Sequence, residues 1–183
     1  RRDPGFVGER HPDPGNAERL ERFFAGDEPT VVFVGKLSRE KGVDLLLDAL
    51  GRVEARAVVV GFGPERAALE ERAAGMRVLF TGPLEHRHLA CLWPLADVSV
   101  TPSVFPEAFG MVSAEAAACG SLPLVARHSG LAEVAAGLEA EYPPGRRELA
   151  SFERGNADDL AAKLAAILAL SSAEWAELSQ AAR

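Results

Sequence analysis

Three cationic side chains stand close together between two glycines, Gly35 and Gly42. They are Lys36, Arg39 and Lys41. If this segment leads into a helix, the free N–H groups of the first helical turn and the cations together favour an anion such as a phosphate. The same composition is also typical of an ordinary solvated loop, in which Glu40 offsets part of the charge. The segment is not a P-loop, because the G-x-x-x-x-G-K-[ST] pattern is absent.

Two carboxylates, Glu107 and Glu115, form an E-x7-E pair further along the chain. Glu115 lies among alanines in a predicted helix, so that helix can approach its neighbours closely and leave the carboxylate little exposed. A glutamate is rarely buried without a partner, and the two hydroxyls of a ribose would satisfy it. The alternatives are a solvated helix face for Glu115 and, for Glu107, an acid stabilised near a helix start by the helix dipole.

Gly110 offers a second place for an anion. It lies at the start of the same predicted helix, and without a side chain it lets a diphosphate approach the backbone N–H groups of Phe109, Met111 and Val112. We expect this place to face the loop of Lys36 and Lys41 across a crevice. Two anion sites that face each other suit a nucleoside diphosphate.

Short β-branched or apolar runs alternate with helical patterns from residue 30 onward. The predicted strands are Thr30–Val34, Ala57–Val60, Arg77–Phe80, Val98–Thr101, Leu122–Ala126 and Ser151–Phe152. Helices are predicted over Gly42–Val53, Glu65–Ala74, His88–Leu95, Phe109–Cys119 and Leu131–Ala136, with two more capped by Asn156 and Ser172. This alternation predicts an α/β protein, a Rossmann-like doubly wound parallel sheet of about six strands with helices on both faces. Ligands of such sheets bind at the carboxyl ends of the strands.

The composition disfavours several classes of protein. The 183 residues are 48% hydrophobic and 26% charged, which suits one compact domain, and the net charge of −7 argues against a general nucleic-acid binder. No apolar run reaches the roughly 18 residues of a membrane span. Cys91 and Cys119 lie in alanine- and leucine-rich stretches, so we expect reduced, buried thiols in a cytoplasmic protein. Residues 1–28 look like a linker cut from a larger protein, and one domain is expected over 29–183.

Gly61-Phe62-Gly63 is a weak motif. It resembles the start of the dinucleotide fingerprint, but the third glycine is absent and the motif follows the second strand instead of the first. A tight strand-to-helix turn, with Pro64 near the first helical position, is the better interpretation. A nicotinamide-dependent oxidoreductase is therefore the function that we favour least.

Together, these segments resemble the C-terminal domain of family-four, GT-B-fold retaining glycosyltransferases, from about Pro29 to the C-terminus. The specific part is the E-x7-E pair in its frame of Pro102-Ser103, Phe109-Gly110 and Gly120. The supporting segments are Gly35-Lys36, Lys41-Gly42, Gly61-Phe62-Gly63-Pro64 and Ser129-Gly130-Leu131-x-Glu133.

The resemblance implies a nucleoside-diphosphate sugar as substrate and no cofactor. Lys36 and Lys41, after Gly35, would bind the donor diphosphate and stabilise it as it departs. Glu107 would contact hydroxyls of the transferred sugar. These three side chains would carry the catalysis.

The same resemblance implies which residues would contact the other parts of the donor. Glu115 would hold the ribose hydroxyls, and the backbone of Phe109, Gly110 and Met111 would meet phosphate or sugar. The loops around Gly63 and Pro83–Leu84 would contact the base.

The sequence departs from the family in three respects. The family usually has Arg at the position of Lys36, so the bidentate fork is lost while the charge remains. It often has Gly-Gly where Ser129-Gly130 stands. The N-terminal acceptor-binding domain, which often carries a general base or an acceptor-positioning histidine, is missing here and is the expected partner.

Histidines and metals carry little of the predicted chemistry. No D-x-D motif occurs that would hold a divalent ion with a nucleotide-sugar, so metal-independent chemistry is favoured. His86 and His88 have a poor spacing for a metal on a helix and are expected to be solvated. His128 lies at the carboxyl end of a strand, where it can make a minor ligand contact. Trp93 and Trp175 are expected to be packing residues.

Transfer of a sugar from a nucleoside-diphosphate donor, with retained configuration, is the leading hypothesis. A non-catalytic nucleotide-sugar sensor or degenerate subunit would need the same binding residues. A nucleotide-sugar epimerase of the same architecture would alter the donor without an acceptor. This chain alone is expected to bind donor but to transfer little or no sugar, and the full-length protein to lie in the cytoplasm or at the inner face of the membrane.

Overall fold

A computed structural model describes residues 14–183 of the chain. It contains a six-stranded sheet in the order β3-β2-β1-β4-β5-β6, in which all neighbouring strands are parallel. The strands are β1 (Thr30–Val34), β2 (Arg56–Val60), β3 (Val78–Gly82), β4 (Val98–Thr101), β5 (Leu122–Ala126) and β6 (Ser151–Phe152). The predicted parallel α/β sheet is confirmed.

One helix precedes β1, and the others follow strands along the chain. They are α1 (Pro14–Phe23), α2 (Val43–Leu50), α3 (Arg66–Arg72), α4 (His86–Leu92), α5 (Met111–Ala118), α6 (Ser129–Glu141), α7 (Ala157–Leu168) and α8 (Ser172–Ala181). Short 3-10 turns cover Arg39–Lys41, Trp93–Leu95 and Arg147–Leu149. Within residues 14–183, no helix has the length and apolar character needed to cross a membrane.

The sheet is buried on both faces because helices cover both. In β1, Val31 and Phe33 face a core shared with α2, α3, α6 and α7, whereas Val32 faces a core shared with α1, α4 and α5. Continuous β-branched runs suit this two-sided burial, and each fully buried aliphatic or Phe side chain contributes about 1.5–3 kcal/mol. Trp93 is buried in the second core and Trp175 packs against the first, so both are packing residues as expected.

Helix α1 lies in the segment that we expected to be a linker. Leu20 is 2% and Phe24 8% exposed, and both pack in the core beside β2 and β3. The buried Arg56 at the start of β2 donates to the Phe23 carbonyl (3.1 Å) and lies 4.9 Å from the centre of the Phe24 ring. The folded domain therefore begins no later than Pro14. Residues 1–13 of the predicted linker lie outside the described residues.

Two predictions for α4 and the cysteines were wrong. Cys91 is exposed and Cys119 is half-buried, although both were expected to be buried. His88 is buried, whereas His86 is exposed as expected. The reason is the helical period, since α4 turns His88 and Leu92 inward and leaves Cys91 on its outer side.

The helix caps follow the prediction in one case and differ by a residue in the other. Asn156 caps α7, and its side chain accepts two backbone N–H groups of the first turn. Helix α8 is capped by Ser171 instead of Ser172, because Ser171 and Glu174 form a reciprocal capping box.

Strands β1 and β4 lie side by side, although the chain passes through β2 and β3 between them. The loops that follow β1 and β4 therefore leave the carboxyl edge of the sheet at adjacent points. In open α/β sheets, this point of reversal is where ligands bind.

Candidate functional site

The backbone carbonyl of Glu40 connects the loops after β1 and β4 through hydrogen bonds. The Glu40 oxygen accepts the N–H groups of Val104 (2.9 Å) and Phe105 (3.3 Å), and the Ser103 hydroxyl lies 3.0 Å from it. The two backbone N–H groups that share this acceptor hold the two loops in a fixed relation. The positions of the side chains on these loops are therefore fixed by the hydrogen bonds between the loops and by the adjacent strands from which the loops emerge.

Both helices at this edge begin directly after a glycine with left-handed backbone. Helix α2 follows Gly42 (φ 65°) and α5 follows Gly110 (φ 83°), and neither has a side-chain cap. A Cβ on Gly42 would collide with the Pro102 carbonyl, so glycine is required for this approach. The first N–H groups of both helices are left for solvent or a ligand, and the helix dipoles favour an anion. Gly110 also explains why α5 begins at Met111 instead of the predicted Phe109.

Lys41 and Glu107 meet between these loops. The Lys41 ammonium donates to Oε1 of Glu107, and the Ser103 hydroxyl donates to the same oxygen (2.8 Å). The two charged side chains are 32% and 20% exposed, so a ligand can reach the pair although water screens it only in part. The structure thus brings a cation and a carboxylate from distant parts of the sequence to one point of the edge.

The carboxyl group of Glu107 is held in its ionised form. Burial alone would raise its pKa, but hydrogen bonds from Lys41 and Ser103, the charge of Lys41 and that of His128 outweigh burial. The pKa of Glu107 therefore lies below its ordinary value. An ionised carboxylate only accepts hydrogen bonds, and hydroxyl groups can donate them.

The loop after β5 holds Glu107 from the other side. The Glu107 N–H donates to Oγ of Ser129 (3.0 Å), and the Gly130 N–H donates to the Glu107 carbonyl (3.0 Å). Gly130 lies so near the backbone of Ala108 that a Cβ would collide with it. Ser129 has a φ of 45°, which is uncommon for a residue with a side chain. Loops from three strands therefore fix Glu107.

His128 lies inside this network, although we expected only a minor ligand contact from it. Its Nε2 is 2.6 Å from the Ser103 carbonyl, and its Nδ1 is 3.1 Å from Oγ of Ser129. Sequence reasoning quoted Ser103 and Ser129 in the family resemblance but did not select them as site residues. Their position as small polar residues shortly after the ends of β4 and β5 was the available signal.

The loops after β2 and β3 extend the same edge on the far side of β1. Gly63 lies so near the Leu37 backbone that a Cβ would collide with it. The Gly61 N–H donates to the Gly82 carbonyl (2.9 Å), which joins the β2 loop to the β3 loop. Leu84, which follows in the β3 loop, is half-buried. Gly63 and Leu84 thus lie at the carboxyl edge but apart from the contact of Lys41 with Glu107.

The other predicted donor-binding residues lie in the loop after β1, in the loop before α5 and on α5. Glu115 is half-buried on α5, and no side chain of the described part of the chain pairs with its carboxylate. Lys36 is exposed directly after Gly35, and no carboxylate among residues 14–183 pairs with it. The remaining predicted residues are the exposed Phe109 and Met111 and the half-buried Val112.

Comparison with known proteins gives the family. The sequence profile described as "Glycosyl transferases group 1" matches residues 28–169. The chain belongs to this family. Within the GT-B fold, this chain corresponds to the C-terminal domain, as the sequence resemblance indicated.

Two curated glycosyltransferases illustrate the similarity. The GDP-mannose-dependent alpha-(1-6)-phosphatidylinositol dimannoside mannosyltransferase of Mycobacterium tuberculosis is 38% identical over 130 residues, which cover 68% of this chain and 34% of that protein. The D-inositol 3-phosphate glycosyltransferase of Mycobacterium bovis is 33% identical over 148 residues, which cover 70% of this chain and 31% of that protein. This chain therefore spans about a third of the length of these relatives.

Solved structures of glycosyltransferases share the fold. The Anabaena protein HepE, in complex with UDP-glucose, superposes with a TM-score of 0.76 at 21% identity over 98% of this chain and 49% of HepE. The C-terminal domain of the group 1 glycosyltransferase LpcC from Francisella tularensis superposes with a TM-score of 0.71 at 17% identity over 96% of this chain and 93% of that domain. The fold of this chain thus matches that of the LpcC C-terminal domain, which was crystallised by itself.

Proposed function

We propose that this chain is the donor-binding domain of a glycosyltransferase, which holds a nucleoside-diphosphate sugar for transfer with retention of configuration. The observation that carries the proposal is the contact of Lys41 with Glu107 at the edge where α2 and α5 begin. A cation beside two open helix starts suits a diphosphate. An ionised and partly exposed carboxylate next to it suits the hydroxyls of the attached sugar.

In this proposal the side chains that act in the transfer step are Lys36, Lys41 and Glu107. Lys36 and Lys41 bind the diphosphate together with the N–H groups at the start of α5. As the bond between sugar and diphosphate breaks, negative charge grows on the departing oxygen, and the two ammonium groups stabilise it. Glu107 orients the sugar ring for this step. Transfer without a metal ion is part of the proposal.

The nucleoside occupies the remaining positions in this proposal. Glu115 accepts hydrogen bonds from the ribose hydroxyls, which would give its unpaired carboxylate two partners. The base extends towards Gly63 and Leu84. GDP-mannose is the donor to test first, because the relative at 38% identity is named for it. The acceptor site is assigned to the rest of a longer protein, since this chain spans about a third of its relatives.

A transfer assay on the full-length protein tests this function. GDP-mannose is supplied with phosphatidylinositol dimannoside or inositol 3-phosphate, the compounds in the names of the relatives. We expect mannose on the acceptor in the anomeric configuration of the donor, and a kcat lower by about a hundredfold in Glu107→Gln. Binding without transfer to either acceptor would indicate a sensor, and a donor altered without acceptor would indicate an epimerase. Absence of both binding and transfer would contradict the proposal.

A further inference from the structure

We infer that His128 is a positioning residue for the donor sugar, because its imidazole fixes Glu107 in the orientation that meets the sugar. His128 acts through Ser103 and Ser129 and does not touch the sugar itself. The inference rests on the proposed role of Glu107. It follows from a closed set of hydrogen bonds between the loops after β4 and β5, here termed the His128 cycle.

The His128 cycle consists of four hydrogen bonds. The Glu107 N–H donates to Oγ of Ser129 (3.0 Å), which lies 3.1 Å from Nδ1 of His128. Nε2 of His128 lies 2.6 Å from the Ser103 carbonyl, and the Ser103 hydroxyl donates to the Glu107 carboxylate (2.8 Å). The cycle therefore begins at the backbone of Glu107 and ends at its side chain. Both the position and the direction of this carboxylate depend on it.

The cycle assigns one proton of His128. A carbonyl oxygen only accepts, so the Nε2 that faces the Ser103 carbonyl carries a hydrogen. Oγ of Ser129 accepts from Glu107, and it can either donate its own proton to Nδ1 or accept an Nδ1–H on its second lone pair. The cycle therefore requires a hydrogen on Nε2 of His128, and every hydrogen of the cycle then has an acceptor.

The imidazole also supports a strained turn. Ser129 has a φ of 45°, and such a conformation persists only where its surroundings hold it. The bond between Ser129 and His128 and the bond from Glu107 both hold this residue. Loss of the imidazole would remove one of the two, release Ser103 from the β5 loop and let Glu107 shift with Ser129. Lys41 and a Ser103 hydroxyl no longer held by the β5 loop would then orient the carboxylate.

Nitrogen NMR on the chain with labelled histidine tests the cycle without any ligand. Long-range proton–nitrogen spectra are expected to show a hydrogen on Nε2 of His128. In His128→Leu the Glu107 amide signal should move, whereas the matched change of an exposed histidine, His86→Leu, should leave it in place. A form of His128 with no hydrogen on Nε2, or a Glu107 amide that does not respond to His128→Leu, would overturn the inference.

Donor binding separates positioning from simple loss of structure. We expect His128→Leu to weaken GDP-mannose binding about tenfold, the effect of one lost charge-assisted hydrogen bond, while GDP binding stays within about twofold. His128→Gln keeps an N–H that can reach the Ser103 carbonyl and should recover most of the GDP-mannose affinity. Equal weakening of both ligands, or a Gln variant no better than Leu, would overturn the inference.

If the proposed function is wrong, the expected results differ from those expected if only the His128 inference is wrong. When the proposed function is wrong, the wild-type chain binds neither GDP nor GDP-mannose, while the proton assignment of His128 and the response of the Glu107 amide still hold. If the inference alone fails, wild-type donor binding persists and the His128 spectra contradict the cycle. The two measurements therefore separate the two claims.

Discussion

Lys41 and Glu107 are 66 residues apart in the sequence, yet the ammonium of one donates to the carboxylate of the other. The contact exists because β1 and β4 are neighbours at the point where the strand order reverses. Each residue lies in the loop that follows one of these strands. The proposed site for a diphosphate and its sugar at this edge is thus a consequence of the topology as much as of the two side chains.

Removal of the Lys41 charge should weaken diphosphate binding. Lys41→Met keeps most of the hydrocarbon chain but loses the ammonium, and we expect the affinity for GDP to fall by about 1.5–3 kcal/mol, roughly tenfold to a hundredfold. Calorimetric titration measures this. Lys163→Met, on α7, is the matched control and should change the affinity by less than about twofold. Equal losses in both variants would mean that net charge matters and the position of Lys41 does not.

The lowered pKa of Glu107 makes its contribution to stability depend on pH. The group is ionised more easily in the folded chain than in the unfolded chain, whose Glu pKa is 4.5. Its stabilising effect is therefore fully present above pH 4.5 and is lost as pH falls through the lower, folded-state value. Urea unfolding at pH 7 and pH 3 should show Glu107→Gln less stable than wild type at pH 7, with a smaller difference at pH 3.

The matched control for this pH effect is Glu133→Gln, which changes an exposed carboxylate on α6. Its stability difference from wild type should be small and nearly equal at both pH values. A Glu107→Gln difference that stays constant or widens at pH 3 would show that the ionised carboxylate is not stabilised by Lys41 and Ser103.

The glycine between the loop and α2 should tolerate no side chain. Gly42→Ala combines a φ of +65° with a collision against the Pro102 carbonyl, and we expect it to lower the free energy of unfolding by about 2–4 kcal/mol. Gly137→Ala is the control, since a Cβ there meets nothing within 4 Å and alanine favours the helix. It should stabilise the chain by about 0.5–1 kcal/mol. Urea unfolding of both variants checks the pair, and a Gly42→Ala as stable as wild type would contradict the close approach.

Two substitutions of Ser129 should differ although both remove the hydroxyl. Ser129→Ala keeps the Cβ in a backbone of φ 45°, so we expect a loss of about 1–2 kcal/mol from the missing hydrogen bonds. Ser129→Gly loses the same bonds but relieves the backbone, and it should be more stable than the alanine variant by about 1 kcal/mol. Thermal unfolding of both variants measures the difference. The reverse order would show that the backbone at this residue is not strained.

The sheet could be predicted from the sequence because its strands are continuous apolar runs. The bounds of β1, β4, β5 and β6 agree with the prediction, since two-sided burial leaves a clear signal. Helix α1 was missed because its surroundings are rich in proline and glycine. The spacing of Leu20, Phe23 and Phe24 carried the helical signal. Cys91 was misplaced because alanine-rich surroundings do not reveal which face of a helix is buried.

The candidate site was predictable only in part. The loops that carry Lys41 and Glu107 could be assigned to the same edge from the pattern of strands and helices alone. Their direct contact depends on β1 lying beside β4, and the sequence contains no local signal for strand order. The role of Ser129 depends on a backbone angle that a serine rarely adopts, so the position of two small polar residues after strands was the only sequence signal for the His128 cycle.

Amide NMR of the labelled chain titrated with GDP and GDP-mannose decides whether this edge of the sheet binds the donor. We predict saturable shifts concentrated in residues 35–42 and 107–115, a response of the Glu107 amide to GDP-mannose that exceeds its response to GDP, and much smaller shifts in Lys41→Met. UDP and ADP serve as comparison nucleotides. If none of GDP, UDP and ADP shifts the Lys36 loop or Glu115, the assignment of this edge as a nucleotide-sugar site is wrong.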